Sequence, residues 1–161
     1  FNFSIQPNSY NQLKDNGFIT DKDNGNPLVI VRNNKKDDMK IIRAYPTDKG
    51  INKVIHGPKF MHYMVESAVT WLATDEPVLC DCSVVFPTKT LDEAEKMKLF
   101  TEKNPLLRFA WKTMKIKGQD QFWQYCKYFD LNQIKLGTEY PAEYNLTEEE
   151  KKYLDEKFRR N

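Results

Sequence analysis

The chain has 161 residues, of which 40% are hydrophobic, 13% aromatic and 30% charged, with a formal net charge of +2. That length and composition fit one globular domain with enough apolar surface for a core, and they exclude a disordered chain. Three cysteines exclude a secreted disulfide scaffold, and a pI near 8.3 is mild for a dedicated nucleic-acid binder, so only the distribution of charge can point to a partner.

The first third reads as β structure. Phe18-Ile19-Thr20 is a short strand ahead of Asp21-Lys22-Asp23-Asn24-Gly25-Asn26, a run of turn formers. Pro27 to Arg32 is a compact β-branched run, Asn33 to Asp38 a polar turn, and Met39 to Tyr45 a third strand. Two apolar runs bracketing a polar loop form a hairpin, so a three-stranded meander is expected, joined by Phe1 to Ile5. Arg32, Lys40 and Arg43 would give this sheet a basic edge that discourages strand-on-strand aggregation.

Pro46 to Pro58 reads as a loop, and Pro58 is placed to open a helix. Met61, Met64, Val65, Ala68, Val69 and Leu72 recur at helical spacing, which predicts a buried helix over 59–73. Val78 to Phe86 is the best strand pattern in the chain. Its alternation would put Val78, Cys80, Cys82, Val84 and Phe86 on one face and Leu79, Asp81, Ser83 and Val85 on the other.

The remainder reads as helical. Thr90 to Glu93 is a capping box opening a helix to about Phe100, and Asn104-Pro105 opens another to about Ile116. Gly118 breaks the chain, and Gln119 to Phe129 follows as a further helix. Thr147 to Glu150 is a second capping box, starting a terminal helix to Arg159. The fold expected is α+β, a single domain over 1–161. In it a small antiparallel sheet (the N-terminal meander plus strand 78–86) packs against helix 59–73, with a helical C-terminal half.

Three groups of residues could carry chemistry. His56, His62, Cys80, Cys82 and Cys126 are of the types zinc prefers. Cys-x-Cys is not the usual metal knuckle, however, and strand alternation makes Cys80 and Cys82 small buried hydrophobes. No metal and no cofactor is expected. His62 has Glu66 one helical turn away, an ordinary side-chain pair if both are helical. Lys49, Lys53, His56 and Lys59 sit in or beside a Gly-bearing loop before the predicted helix, where they could converge on a phosphate. Asp81, in an apolar strand, needs a partner or a perturbed pKa.

The last group interleaves basic and aromatic residues: Arg108, Trp111, Lys112, Lys115, Trp123, Tyr125, Lys127 and Tyr128. Helical spacing cannot turn all these rings to one core, and exposed rings beside lysines suit base stacking or anchoring a protein partner. No catalytic constellation stands out. The function expected is therefore that of a non-catalytic binding protein, engaging a protein or single-stranded nucleic acid through this basic and aromatic surface. A small enzyme or a binder of a phosphorylated small molecule using the 49–59 loop is the second reading, and a subunit of a larger assembly such as a virion the third. Three cysteines, an odd count, point to a reducing compartment, so a cytoplasmic protein is expected, and no apolar run approaches the roughly 20 residues that span a bilayer. The richness in Lys, Asn, Asp and Ile suits an AT-rich coding sequence such as a phage's.

Overall fold

The computed structural model describes residues 4–6, 9–35, 38–63, 71–79, 83–105, 108–109, 113, 115–116, 119–120, 140 and 145–158. Its elements in chain order are β1 (Ser4–Gln6), α1 (Tyr10–Asp15), β2 (Ile19–Thr20), β3 (Val29–Lys35), β4 (Asp38–Pro46), β5 (Lys59–Tyr63), β6 (Trp71–Thr74), β7 (Ser83–Pro87), α2 (Leu91–Lys103), β8 (Lys115–Ile116), β9 (Gln119–Asp120) and α3 (Glu148–Phe158). A 3-10 turn spans Ile51–Lys53. The fold is α+β, with antiparallel sheets and segregated helices.

The hairpin of the N-terminal third is present and longer than its apolar runs: β3 pairs β4 from Val29↔Ala44 out to Lys35↔Asp38. The three strands do not form the expected meander, because β2 does not pair with β3. β2 pairs β4, so the order is β2-β4-β3. The turn formers after β2 carry the chain across to β3, and there the Nδ2 groups of Asn24 and Asn26 both donate to the Pro46 carbonyl, at 2.8 and 2.7 Å. β1 does not join this sheet. It pairs β7 in a second, four-stranded sheet of order β1-β7-β5-β6. The predicted single sheet is thus two.

The largest correction is the helix over 59–73. Lys59–Tyr63 is a strand at the centre of the second sheet, bonded on one side to β6 (Phe60↔Ala73) and on the other to β7 (Phe60↔Phe86). The physical reason is burial on both faces. Met61 and Val85 turn to a core with Ile30 and Val78. By the pleat, the neighbouring Phe60 and Phe86 turn the other way, stacked at 4.6 Å, where α2 lies against β5 and β6. With both faces buried, Phe60 and Met61 are apolar in succession, so the strict alternation that marks a one-faced strand is absent and periodicity does not separate the strand from a buried helix.

The predicted strand over 78–86 has different partners at its two ends, and Cys80, Asp81 and Cys82 between them lie outside the described residues. Val78 and Val85 share one core, although strict alternation would separate them, and Leu79 belongs to a different core. Ser83–Pro87 pairs within the second sheet. Pro77 to Leu79 instead lies between β3 and the segment at Ile55. Ile30 N–H donates to the Pro77 carbonyl (2.9 Å) and Leu79 N–H to the Ile30 carbonyl (3.0 Å), while Val78 and Ile55 exchange both backbone bonds (2.8 and 3.0 Å). Two cores result. Leu13, Ile19, Val29, Val31, Ala44 and Leu79 fill one, under α1; Ile30, Met61, Val78 and Val85 fill the other.

Capping signals place the helices. Thr90 accepts from the Glu93 N–H at 3.1 Å, and the Glu93 carboxylate accepts from the Lys89 N–H at 2.9 Å. Thr147 and Glu150 cap α3 reciprocally, at 3.1 and 2.8 Å. Asn104 ends α2 and begins the next helical turn, since the Arg108 N–H donates to its carbonyl at 3.0 Å. That turn does not run to Ile116, because Lys115–Ile116 pairs with Gln119–Asp120 as a short hairpin, β8 with β9. Gln119 and Asp120 are accordingly strand, not the start of a helix; the rest of the predicted helix to Phe129 lies outside the described residues.

Leu79 is 1% exposed and Leu28, just before β3, is 40% exposed. Leu79→Ala is expected to lower unfolding free energy by about 2–5 kcal/mol, while Leu28→Ala stays within about 0.5 kcal/mol. Urea denaturation monitored by circular dichroism checks both.

Candidate functional site

The best-defined surface constellation begins at the end of α1. Ser9 and Gln12 form a capping box at its start. At its end, the Gly17 N–H donates to the Lys14 carbonyl (3.0 Å) and the Phe18 N–H to the Leu13 carbonyl (2.8 Å). This is a Schellman stop, and Gly17 supplies the left-handed residue it needs, at φ +72°. The stop sets Phe18 against the Leu13 core.

The loop after β4 docks on this turn. The Thr47 N–H donates to the Phe18 carbonyl at 3.0 Å and the Thr47 hydroxyl to the Gly17 carbonyl at 2.5 Å. Gly50 is buried so close that a Cβ there would lie 1.9 Å from the Phe18 carbonyl oxygen. The loop therefore needs glycine for its approach, and that approach brings two lysines to one ring. Lys49 Nζ and Lys53 Nζ each stand 4.8 Å from the Phe18 ring centroid. Lys49 also donates to the Asn16 carbonyl at 2.9 Å, at the C-terminal cap of α1.

Of the four residues expected to gather on an anion, the structure brings Lys49 and Lys53 together. His56 is exposed, and among the described residues no hydrogen bond, ion pair or ring contact joins it to the lysines. Lys59 is elsewhere: it is buried in β5, with Nζ donating to the Glu76 carbonyl at 2.7 Å. Phe18 is the member that sequence reasoning missed. Its signal was the Asn16-Gly17-Phe18 helix stop, whose last residue regularly packs back on the helix.

The expected partner surface is only partly visible. Arg108 is buried and donates from Nη1 to the Glu102 carbonyl at 3.1 Å, which satisfies the carbonyl end of α2. Lys115 is in β8. Trp111, Lys112, Trp123, Tyr125, Lys127 and Tyr128 lie outside the described residues. Next to Arg108, Phe109 meets Phe158 of α3 edge-on at 5.3 Å, and Phe158 meets Tyr153 at 6.3 Å. Tyr153 is 52% exposed. Leu154 is buried, and Tyr140 donates to Asp155 at 2.6 Å, so α3 is held by one face and offers Tyr153 on another.

The remaining candidates add no site. Cys80, Asp81, Cys82 and Cys126 lie outside the described residues, and His62 is a strand residue in β5. Among the described residues no cluster of His, Cys, Asp and Glu could hold a metal ion, and no helix is long and apolar enough to cross a membrane. Arg43 of the basic edge pairs with Glu76 at 3.0 Å. Asp92 raises the Lys96 ammonium through their ion pair, and in a larger cluster Lys14 and Tyr10 both bond to Asp21. The Lys14 ammonium, then the Tyr10 hydroxyl, hold the Asp21 carboxyl below its ordinary value. Asp21 in turn raises Lys14, while burial first and Asp21 second raise Tyr10.

Comparison of the chain with family models, curated proteins and solved structures gives no match.

Gly50→Ala is expected to cost about 3 kcal/mol or more through its clash with backbone, against about 1–2 kcal/mol for Gly17→Ala, where only the left-handed backbone resists a side chain. Denaturant midpoints of the two variants check the difference. The triad adds a pH dependence of known sign. Its contribution should be lost on acidification as pH falls through the Asp21 value, which lies below the ordinary carboxylate of about 3.9. It should be lost again on alkalinisation, as pH rises through the raised Lys14 and Tyr10 values. Stability against pH in wild type and Asp21→Asn should therefore differ at mid-range and converge at both extremes.

Proposed function

We propose that this chain is a non-catalytic binding protein whose partner is another protein, engaged through aromatic side chains of the helical half. The observation that supports this reading is the run from Phe109 through Phe158 to Tyr153, which leads from the basic and aromatic segment to an exposed ring. Tyrosine is favoured at such anchors because its large ring is apolar and its hydroxyl is wet, so it loses little on either side of binding. Phe158 and Leu154 fix the helix that presents it.

Single-stranded nucleic acid is less well supported as the partner of this surface. α3 carries Glu148, Glu149, Glu150, Asp155 and Glu156 against Lys151, Lys152 and Lys157. A helix with excess carboxylates repels phosphates, and phosphate neutralisation supplies most non-specific affinity for nucleic acid. The odd number of cysteines accords with a reducing, cytoplasmic setting.

A photocrosslinking residue placed at position 153 is expected to give one discrete protein adduct in a lysate of the source organism. Against that purified protein, Tyr153→Ala should weaken binding about tenfold or more. Salt-sensitive retention of single-stranded oligonucleotide, lost in Trp111→Ala or Trp123→Ala, would instead favour nucleic acid as the partner.

A further inference from the structure

We infer that Lys49 and Lys53, held on the ring of Phe18, form a binding site for a phosphate group. This rests on a different surface from the one proposed to engage a protein.

Three observations carry it. First, the two ammonium groups are brought together by the fold. Each lies 4.8 Å from the same ring centroid, so they are separated by at most twice that distance. Like charges at that range repel, and the ring face offsets part of the repulsion. Second, neither lysine has a carboxylate partner: the ion pairs among the described residues involve Lys14, Arg43, Lys96, Lys151 and Lys152, and the Lys49 hydrogen bond goes to a neutral carbonyl. Both side chains are exposed. The positive charge is left facing water, where an anion can reach it. Third, the backbone beneath them is built to a tight tolerance. Thr47 bonds the Gly17–Phe18 turn through both N–H and hydroxyl, and Gly50 meets the Phe18 carbonyl without room for a methyl group. That approach gives the two lysines a rigid base of the kind a binding site needs.

The ligand chemistry that fits is a phosphate ester accepting from two point-charge donors. Two sources share it: a free phosphorylated small molecule such as a nucleotide, and the backbone of a single strand. The lysines are exposed, so a single strand could lie across the pair without entering a cavity. The Phe18 ring is partly buried, so the lysines, not base stacking, would make the contact.

The test is an amide-shift titration of the isotopically labelled full chain with three probes: inorganic phosphate, adenosine monophosphate and a short oligothymidylate. Shifts centred on residues 16–18 and 47–53 are expected. Lys49→Met and Lys53→Met should each weaken binding about fivefold or more. The double variant should abolish it, and lysine-to-arginine replacements should restore it. Lys53→Met is the cleaner variant: the only hydrogen bond Lys53 donates among the described residues is from its backbone N–H to the Gly50 carbonyl, which the substitution keeps. Saturation by either small phosphate assigns a free ligand. Saturation by the oligonucleotide alone assigns the strand, with the salt slope falling by about 0.7 for each lysine removed. Tyr153→Ala should leave all three titrations unchanged, which separates failure here from failure of the protein-binding reading. Shifts centred elsewhere, no shifts with any probe, or wild-type binding by the double methionine variant would overturn the site.

Discussion

Three residues, Pro77 to Leu79, lie between the two main sheets and put a side chain into a core on each side. On one side their backbone bonds Ile30 of β3; on the other Val78 exchanges both bonds with Ile55. Each such bond is worth only about 1 kcal/mol net. Their geometry matters more, because the segment is short and its two buried side chains point opposite ways. Val78 fills the core with Met61 and Val85, and Leu79 fills the core beneath α1. A one-residue slip would exchange the two, so burial on both faces fixes the register. The turn that delivers the chain to this position is itself tied down. The Thr74 hydroxyl accepts from the Glu76 N–H, the buried Lys59 ammonium takes the Glu76 carbonyl, and Arg43 of the other sheet takes the Glu76 carboxylate.

That arrangement explains where Lys59 belongs. By sequence it is one of four cations near a loop, with nothing to distinguish its ammonium from that of Lys53. In the fold its neighbours in register are Thr74 and Pro87, at the centre of a sheet. A buried ammonium requires close acceptors, and a backbone carbonyl at 2.7 Å is a charge-assisted bond of the stronger kind. Lys49 and Lys53 belong to the opposite case. They are exposed, and their position is set by a glycine with no room for a side chain.

Local signals were legible and two-faced burial was not. The caps at Thr90 and Thr147, the Asn104-Pro105 helix start and the hairpin of β3 with β4 are all readable from a few adjacent residues, because each depends on bonds made within a few positions. The Ser9-to-Gln12 box belongs to the same class, although the short helix it opens lacked an apolar stripe to draw notice. Lys59–Tyr63 and Trp71–Thr74 failed for a different reason. Their apolar residues answer to partners far along the chain, Phe86 and Val85 on one side and α2 beyond, and no local period records that. The same holds for Val78 and Leu79, where an apparently continuous strand changes partners between its ends. At the candidate site the lysines were visible as residue types. Their meeting point, Phe18, lies some thirty residues away and could be found only through the helix stop that aims it.

The two candidate surfaces differ in what fixes them, and this bears on what each can recognise. Tyr153 stands on a helix anchored by apolar and aromatic packing at Leu154 and Phe158, so the ring is presented with broad area and few directional demands. That suits a surface whose affinity comes from burying an anchor against a complementary pocket. The Lys49 and Lys53 pair stands on backbone hydrogen bonds and a steric limit at Gly50, with little apolar area of its own. Its free energy of binding must come from charge, and is therefore screened within about 8–10 Å at physiological salt. A surface of the first kind discriminates by shape and holds at high salt; one of the second kind attracts any reachable phosphate and weakens as salt rises. On the two proposed readings, shape recognition and charge recognition would fall to two elements, α3 and the loop after β4, that share no residue.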